Sequence, residues 1–210
     1  MIRVLIVDDH AILRRGLIQI ISEASDMQVG GEAESASQAI RLAREQPFDV
    51  VLLDITMPDR NGFDALKQLK TEKPRLPVLM LSMHPEEHYA VRALKAGAAG
   101  YLNKQSAPAL LVSALRQVAS GHRYVSAKVA QDLAVAIAHD PDRPPHETLS
   151  NREYETLRLM ASGRTASQIA AELSLSVKTV SVYRARLLEK LQLKNNAELT
   201  RYALEHQLVD

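Results

Sequence analysis

The stretch Val50-Val51-Leu52-Leu53-Asp54-Ile55-Thr56-Met57-Pro58 decides the fold. Its first four residues are apolar and half of them β-branched, so they read as a strand buried on both faces. A lone carboxylate and then a proline end the run, which puts Asp54 where a strand opens into a loop. In an open α/β sheet, ligands bind in the crevice outside the carboxyl ends of the strands.

Moving outward, Ile2 to Val7 (IRVLIV) is another short apolar strand that stops at acid, Asp8-Asp9. His10 to Ala24 then places Ile12, Leu13, Leu17, Ile20 and Ile21 at helical spacing, with Asp9 as its N-cap. Met27 to Glu34 reads as a strand, Ser35 to Gln46 as a helix and Phe48 to Leu53 as the opening strand. The alternation continues with a helix near Gly62 to Lys70, a strand Val78 to Ser82 and a helix Glu86 to Ala96. A strand Ala99 to Asn103 and a helix Ala107 to Ala119 complete it. Five strand-helix pairs predict an α/β unit, a five-stranded doubly wound parallel sheet of flavodoxin-like order 2-1-3-4-5. That order sets the first and third strands side by side, so Asp8, Asp9 and Asp54 share one edge with Ser82 and Lys104.

Past Ala119 the pattern breaks at Ser120-Gly121-His122, and Ser126 to Ala138 resumes as an alanine-rich helix. His139-Asp140-Pro141-Asp142-Arg143-Pro144-Pro145-His146 follows, too proline-rich for a helix or strand interior. Residues 1–120, 121–146 and 147–210 are therefore read as a first domain, a linker and an all-helical second domain. In the latter, Ser150 and Glu153 form a capping-box pattern and Gly163 a C-cap. Thr165 to Leu173, the turn Ser174-Leu175-Ser176 and Val177 to Leu191 describe a helix-turn-helix, with a last helix at Ala197 to His206. Lys194-Asn195-Asn196 is a loop and cap, with Asn196 in reach of a phosphate.

With 26 basic and 25 acidic residues the formal charge is +1, so any basic surface must be local. From 176 to 190 four basic residues oppose one acid, a net of +3. Val177, Val180, Leu187 and Leu191 form the predicted core stripe of this helix. Lys178, Ser181, Val182, Ala185 and Arg186 fall opposite, fit for a major groove, with Arg184 at the core edge. The bland alternative is a protein-binding bundle with a solvated charged face. There is no cysteine, which excludes disulfides and thiolate chemistry and fits a cytoplasmic protein. No apolar run approaches the roughly 18 residues of a membrane span. His84, His88, His122, His139 and His146 lack metal-site spacing.

Three neighbouring carboxylates suit a hard cation, Mg2+ best. An ionised aspartate is also a nucleophile towards phosphorus, with Lys104 and Ser82 placed to meet phosphoryl oxygens. Taken singly, each residue has a plainer reading as helix cap, strand end or solvated lysine. A magnesium-dependent phosphohydrolase is the rival enzyme, although such enzymes usually have an acid two residues after the nucleophile, where Thr56 stands. DNA binding independent of phosphate, over a vestigial pocket, is a further rival.

Asp8-Asp9, Asp54 with Met57-Pro58 and Gly62, Ser82, and Tyr101 with Lys104 resemble the receiver domain of two-component response regulators over Met1 to Ser120. The resemblance implies that Asp54 takes phosphate from a sensor histidine kinase and that Asp8, Asp9, Asp54 and the Thr56 carbonyl surround Mg2+. It makes Ser82 and Tyr101 a switch pair. Gln105 stands where many receivers have proline after the lysine, and Met83 where a small residue is common. Leu149-Ser150-Asn151-Arg152-Glu153, Ile169-Ala170 with Leu173, Ser176 to Val180 and Lys190-Leu191 resemble the LuxR-type helix-turn-helix. Together they imply a NarL/FixJ-like transcription factor that binds double-stranded promoter DNA as a homodimer when phosphorylated, with RNA polymerase as a further partner. Lys178, Thr179, Ser181, Val182, Ala185, Arg186 and Lys190 are its expected DNA contacts.

Overall fold

The computed structural model describes residues 1–57, 59–83, 86–126, 129–131 and 144–209. By its internal contacts the chain divides into two compact units, Met1–Ala138 and His139–Asp210.

In the first unit, apolar runs become strands β1 (Ile2–Val7), β2 (Met27–Ala33), β3 (Val50–Asp54), β4 (Val78–Ser82) and β5 (Gly100–Asn103). All neighbouring pairs are parallel and the order is β2-β1-β3-β4-β5, as predicted. Helices α1 (Ala11–Ser22), α2 (Ala36–Glu45), α3 (Gly62–Glu72), α4 (Glu86–Lys95) and α5 (Ala107–Ala119) alternate with them. Val4, Ile6, Val50, Leu52, Leu79, Leu81 and Leu102 pack with Leu17 and Ile21 of α1 and Leu111, Ala114, Leu115 and Val118 of α5. The intervening residues Leu5, Val7, Val51, Leu53 and Met80 are also fully buried, because α2, α3 and α4 lie over other parts of the sheet. Burial on both faces is what the unalternating apolar runs required.

Two expectations for α1 fail. Its N-cap position is held by His10, with no side-chain cap bond. The carboxylates of Asp8 and Asp9 turn to the strand edge instead, where Asp8 Oδ1 accepts from the His10 amide at 2.8 Å. Ile12 is 88% exposed, because a helix starting at Ala11 aims Leu17 and Ile21 inward and Ile12 out of phase with them.

The second unit begins with a 3-10 turn, Pro145–Thr148, followed by α6 (Asn151–Ala161), α7 (Ala166–Glu172), α8 (Val177–Lys190) and α9 (Asn196–Glu205). Each helix is closed at both ends. Ser150, Thr165, Ser176 and Asn195 accept from the amide three residues on, and Ser150 and Thr165 complete capping boxes with Glu153 and Gln168. Gly163, Ser174, Gln192 and Gln207, all at positive φ, follow the four C-termini. At the turn between α7 and α8, the amides of Ser174 and Leu175 return to the carbonyls of Ala171 and Ala170, a Schellman arrangement. Ile169, Ala170, Leu173 and Val180 form the core between these two helices. Val177 is 46% exposed rather than part of the stripe, because it opens α8 ahead of the turn that packs. Of the predicted helix Ser126 to Ala138, residues 129–131 are helical, with the Val129 amide donating to Ser126 Oγ at 3.3 Å; its remainder, most of His139 to His146, and His84 lie outside the described residues.

Candidate functional site

Parallel register lines up the strand ends. Val7 pairs with Leu53 and Asp54 with Leu81, so Asp8 leaves β1 beside Asp54, and Ser82 follows on β4 opposite Asn103. Lys104 comes directly after β5, and its amide donates to the Ser82 carbonyl at 2.8 Å. Asp8, Asp54, Ser82, Tyr101 and Lys104 are all buried. No cis peptide bond occurs among the described residues, so Lys104-Gln105 is trans.

The Lys104 ammonium bridges two acids, 2.7 Å from Asp54 Oδ2 and 2.8 Å from Asp8 Oδ2. Burial works against its charge, but Asp54 and Asp8 outweigh that and hold its pKa above the usual lysine value. Burial pushes the Asp54 carboxyl up to about 6, helped by the Asp8 charge and opposed by Lys104 and by the Thr56 amide, 3.3 Å from Oδ1. Asp9 sits at the rim, with its side chain 30% exposed.

A cation suits this donor set. Ligand atoms of Asp8, Asp9, His10 and Asp54 all lie within 4.8 Å of one another. Asp9 Oδ1 is buried without an aligned hydrogen-bond donor. One ammonium for three carboxylates leaves negative charge that a hard divalent ion would balance.

Three supporting residues escaped the sequence reading. Arg14 donates from Nη1 to the Asp8 carbonyl at 2.6 Å and from Nε to Glu32 Oε2 at 3.2 Å, tying the loop after β1 to the end of β2. Asp59 accepts from the amides of Ala36 and Ser37 at 3.0 Å each, fastening the loop after β3 to the start of α2. His10 places Nδ1 at 2.8 Å from Asp9 Oδ1. The strands align the predicted residues, but these three reach in from loops and a helix face whose geometry no apolar pattern encodes. Gly62 was legible, because a Cβ there would overlap the Asp54 carbonyl oxygen and come within 2.7 Å of Ile55 Cα.

On α8, Lys178, Ser181, Val182, Ala185 and Arg186 are exposed together. Thr179 is half-buried, its amide donating to Ser176 Oγ at 3.0 Å. Lys190 donates to Glu153 Oε2 at 2.7 Å and so is drawn to the base of α6. Arg184 is half-buried and bonded to Asn196 Oδ1 at 2.7 Å, which engages the amide expected to face a phosphate.

Residues 4–116 match the response regulator receiver domain family, and residues 147–203 match the luxR family of bacterial regulatory proteins. The chain is 37% identical to response regulator UvrY of Escherichia coli (strain K12), over 99% of this chain and 96% of that one. It is 37% identical to response regulator GacA of Pseudomonas aeruginosa, over 100% and 99%. Among solved structures, RcsB from Salmonella enterica serovar Typhimurium, bound to promoter P1flhDC in the presence of the phosphomimetic BeF3−, matches with a TM-score of 0.63. It is 28% identical, over 96% of this chain and 97% of that one. These matches favour a signalling protein over the phosphohydrolase. The chain therefore belongs to the two-component response regulators of the LuxR family, signalling proteins that regulate transcription through a helix-turn-helix domain.

Proposed function

We propose that Asp54 is phosphorylated by a sensor histidine kinase and that the phosphate controls promoter binding by a homodimer. The observation that carries this reading is the Lys104 ammonium held between Asp54 and Asp8 at the mouth of three strands. In the transfer, a carboxylate oxygen of Asp54 forms a bond to phosphorus. The bond from phosphorus to the kinase imidazole breaks, its electron pair returning to the nitrogen. Lys104 then meets one phosphoryl oxygen and the Ser82 hydroxyl another, and Tyr101, on β5 in register with Met80, follows that hydroxyl. Asp8, Asp9, Asp54 and the Thr56 carbonyl would hold Mg2+, which supplies positive charge to the transferring group.

Residues 1–120 act as the receiver, 121–146 as linker and 147–210 as effector, in the cytoplasm where promoter DNA lies. Lys178 and Arg186 reach phosphates or guanine, Val182 meets a thymine methyl, and Ser181 and Ala185 allow close approach. Thr179 supports the start of α8, and Lys190 contributes less because Glu153 holds it. RNA polymerase is the downstream partner.

Full-length protein incubated with acetyl phosphate and Mg2+ should acquire one acid-stable, base-labile phosphate that Asp54→Ala lacks. Equal labelling of Asp54→Ala would overturn the assignment.

A further inference from the structure

The imidazole of His10 stands inside the acidic cluster, and phosphoryl transfer as described makes no use of it. Nδ1 lies 2.8 Å from Asp9 Oδ1 and 3.2 Å from Asp8 Oδ1. Two ligands at right angles around an ion, each about 2.1 Å from it, are about 3 Å apart. Each carboxylate oxygen is therefore at the distance from the imidazole nitrogen that neighbouring ligands of an octahedral shell would have.

Other duties do not account for this placement. As the N-cap residue of α1, His10 makes no side-chain bond to the helix. Its side chain is 63% exposed, so packing does not press it against the acids. A hydrogen bond to Asp8 Oδ1 at 3.2 Å explains one contact. Asp9 Oδ1 stays without an aligned donor although the ring nitrogen is close, whereas Asp8 Oδ2 is already paired with Lys104. Close polar atoms that are not aligned as donor and acceptor are what a shared cation reconciles.

We propose that His10 is a further ligand of the cation site and that its nitrogen shifts the site's preference from Mg2+ towards first-row transition ions such as Mn2+ and Co2+. Oxygen donors alone suit Mg2+, whereas an imidazole strengthens binding along the series from Mn2+ to Co2+ and beyond. The proposal rests on reading Asp8, Asp9 and Asp54 as the cation site.

The test uses the full chain at pH 8, above the ordinary imidazole pKa of about 6.5. Pulsed EPR of bound Mn2+ should show a 14N coupling that disappears in His10→Gln. Co2+ affinity should fall about tenfold in His10→Gln, while Mg2+ affinity, read by competition, changes less than about twofold. Bound Mn2+ that Mg2+ displaces but that shows no 14N coupling, or a coupling that persists in His10→Gln, overturns the role of His10 and leaves the cation site standing. An equal loss of Mg2+ and Co2+ affinity overturns it as well, since the residue would then act on the cluster's shape. No Mn2+ binding by the wild type, or binding unchanged in Asp9→Asn and Asp54→Asn, overturns both this proposal and the cation reading beneath it.

Discussion

Asp54 stabilises its own site poorly before a cation arrives. Its carboxyl is pushed up to about 6, mainly by burial and also by Asp8. An acid whose folded pKa lies above its unfolded value, about 3.9, binds a proton in the native state that the unfolded chain has released. Stability therefore falls as pH rises from about 4 to about 6, and the whole deficit is present at pH 7.5. Two pK units correspond to about 3 kcal/mol at most, so Asp54→Asn should stabilise the cation-free protein at pH 7.5 by about 1–3 kcal/mol. Urea denaturation reads the difference, which should shrink below pH 4; an unstabilised variant at pH 7.5 would refute the burial argument. Arg14 acts on the same cluster without touching a carboxylate oxygen of it, by holding the Asp8 carbonyl. Arg14→Ala should weaken Mg2+ binding about tenfold, the usual range for a residue that orients ligands. Calorimetric titration at constant pH reads it, and an unchanged affinity would reduce Arg14 to a surface ion pair with Glu32. The contrast between these residues marks how far sequence reaches. Asp8, Asp54, Ser82 and Lys104 were legible because each ends a short apolar run, and parallel register then brings run ends together. His10 and Arg14 were not, since their reach depends on how one loop turns into α1.

Among the elements, caps decided which boundaries could be read. Ser150 with Glu153 was visible as a capping box, and Gly163 as a C-cap, because those residue types have a mechanism at those positions. The turn at Ser174 after α7 was also read, but the ends of α8 and α9 use the same left-handed turn with Gln192 and Gln207 in it, residues that announce nothing. Strands β3 and β4 were legible almost to the residue, since strands buried on both faces tolerate no polar interruption, whereas the edge strand β2 carries Gln28 and Glu32 and is only partly buried. The failures were local ones of phase, at Ile12 and Val177. Gln192 has a φ of 55 just past Leu191, the C-cap of α8, so Gln192→Gly should raise the effector's stability by about 0.5–1 kcal/mol. A lower unfolding midpoint would show that the glutamine side chain stabilises the turn more than the strain costs. Glu153 offers the converse case. Burial raises its carboxyl pKa, but hydrogen bonds from Lys190 and from the Ser150 amide and hydroxyl outweigh that and hold it below the usual range. A depressed acid contributes stability that is complete above its unfolded pKa and is lost as pH falls through the folded one. Glu153→Gln should cost about 1 kcal/mol at pH 7, and the gap to wild type should close as pH falls below about 4. Thermal unfolding at both pH values checks this, and a gap that widens in acid would contradict the sign.

For the whole molecule, a formal charge of +1 gives no general field to draw DNA, so affinity has to come from a local basic surface, and the exposed face of α8 is the one proposed. Each phosphate contact releases counterions, so the slope of log affinity against log salt falls by about 0.9 for each contact removed. If Arg186 contacts a phosphate, Arg186→Ala should weaken binding to all sequences alike and reduce the slope by about 1. If it reads guanine instead, the loss should fall on the operator, with specificity relaxed at one position. On the proposed function, phosphorylation enters through assembly. Linking two effector units by receiver dimerisation turns the second half-site encounter into an intramolecular one, which can raise avidity about 100-fold or more without a new DNA contact. Acetyl phosphate with Mg2+ should therefore shift the operator midpoint of the wild type at least tenfold and steepen its concentration dependence, while half-site affinity stays the same. Asp54→Ala should show neither change, and sedimentation should find the dimer only in the treated wild type. Full operator affinity in Asp54→Ala, equal with and without donor, would mean that the acidic pocket has been retained without control over the helices that read DNA.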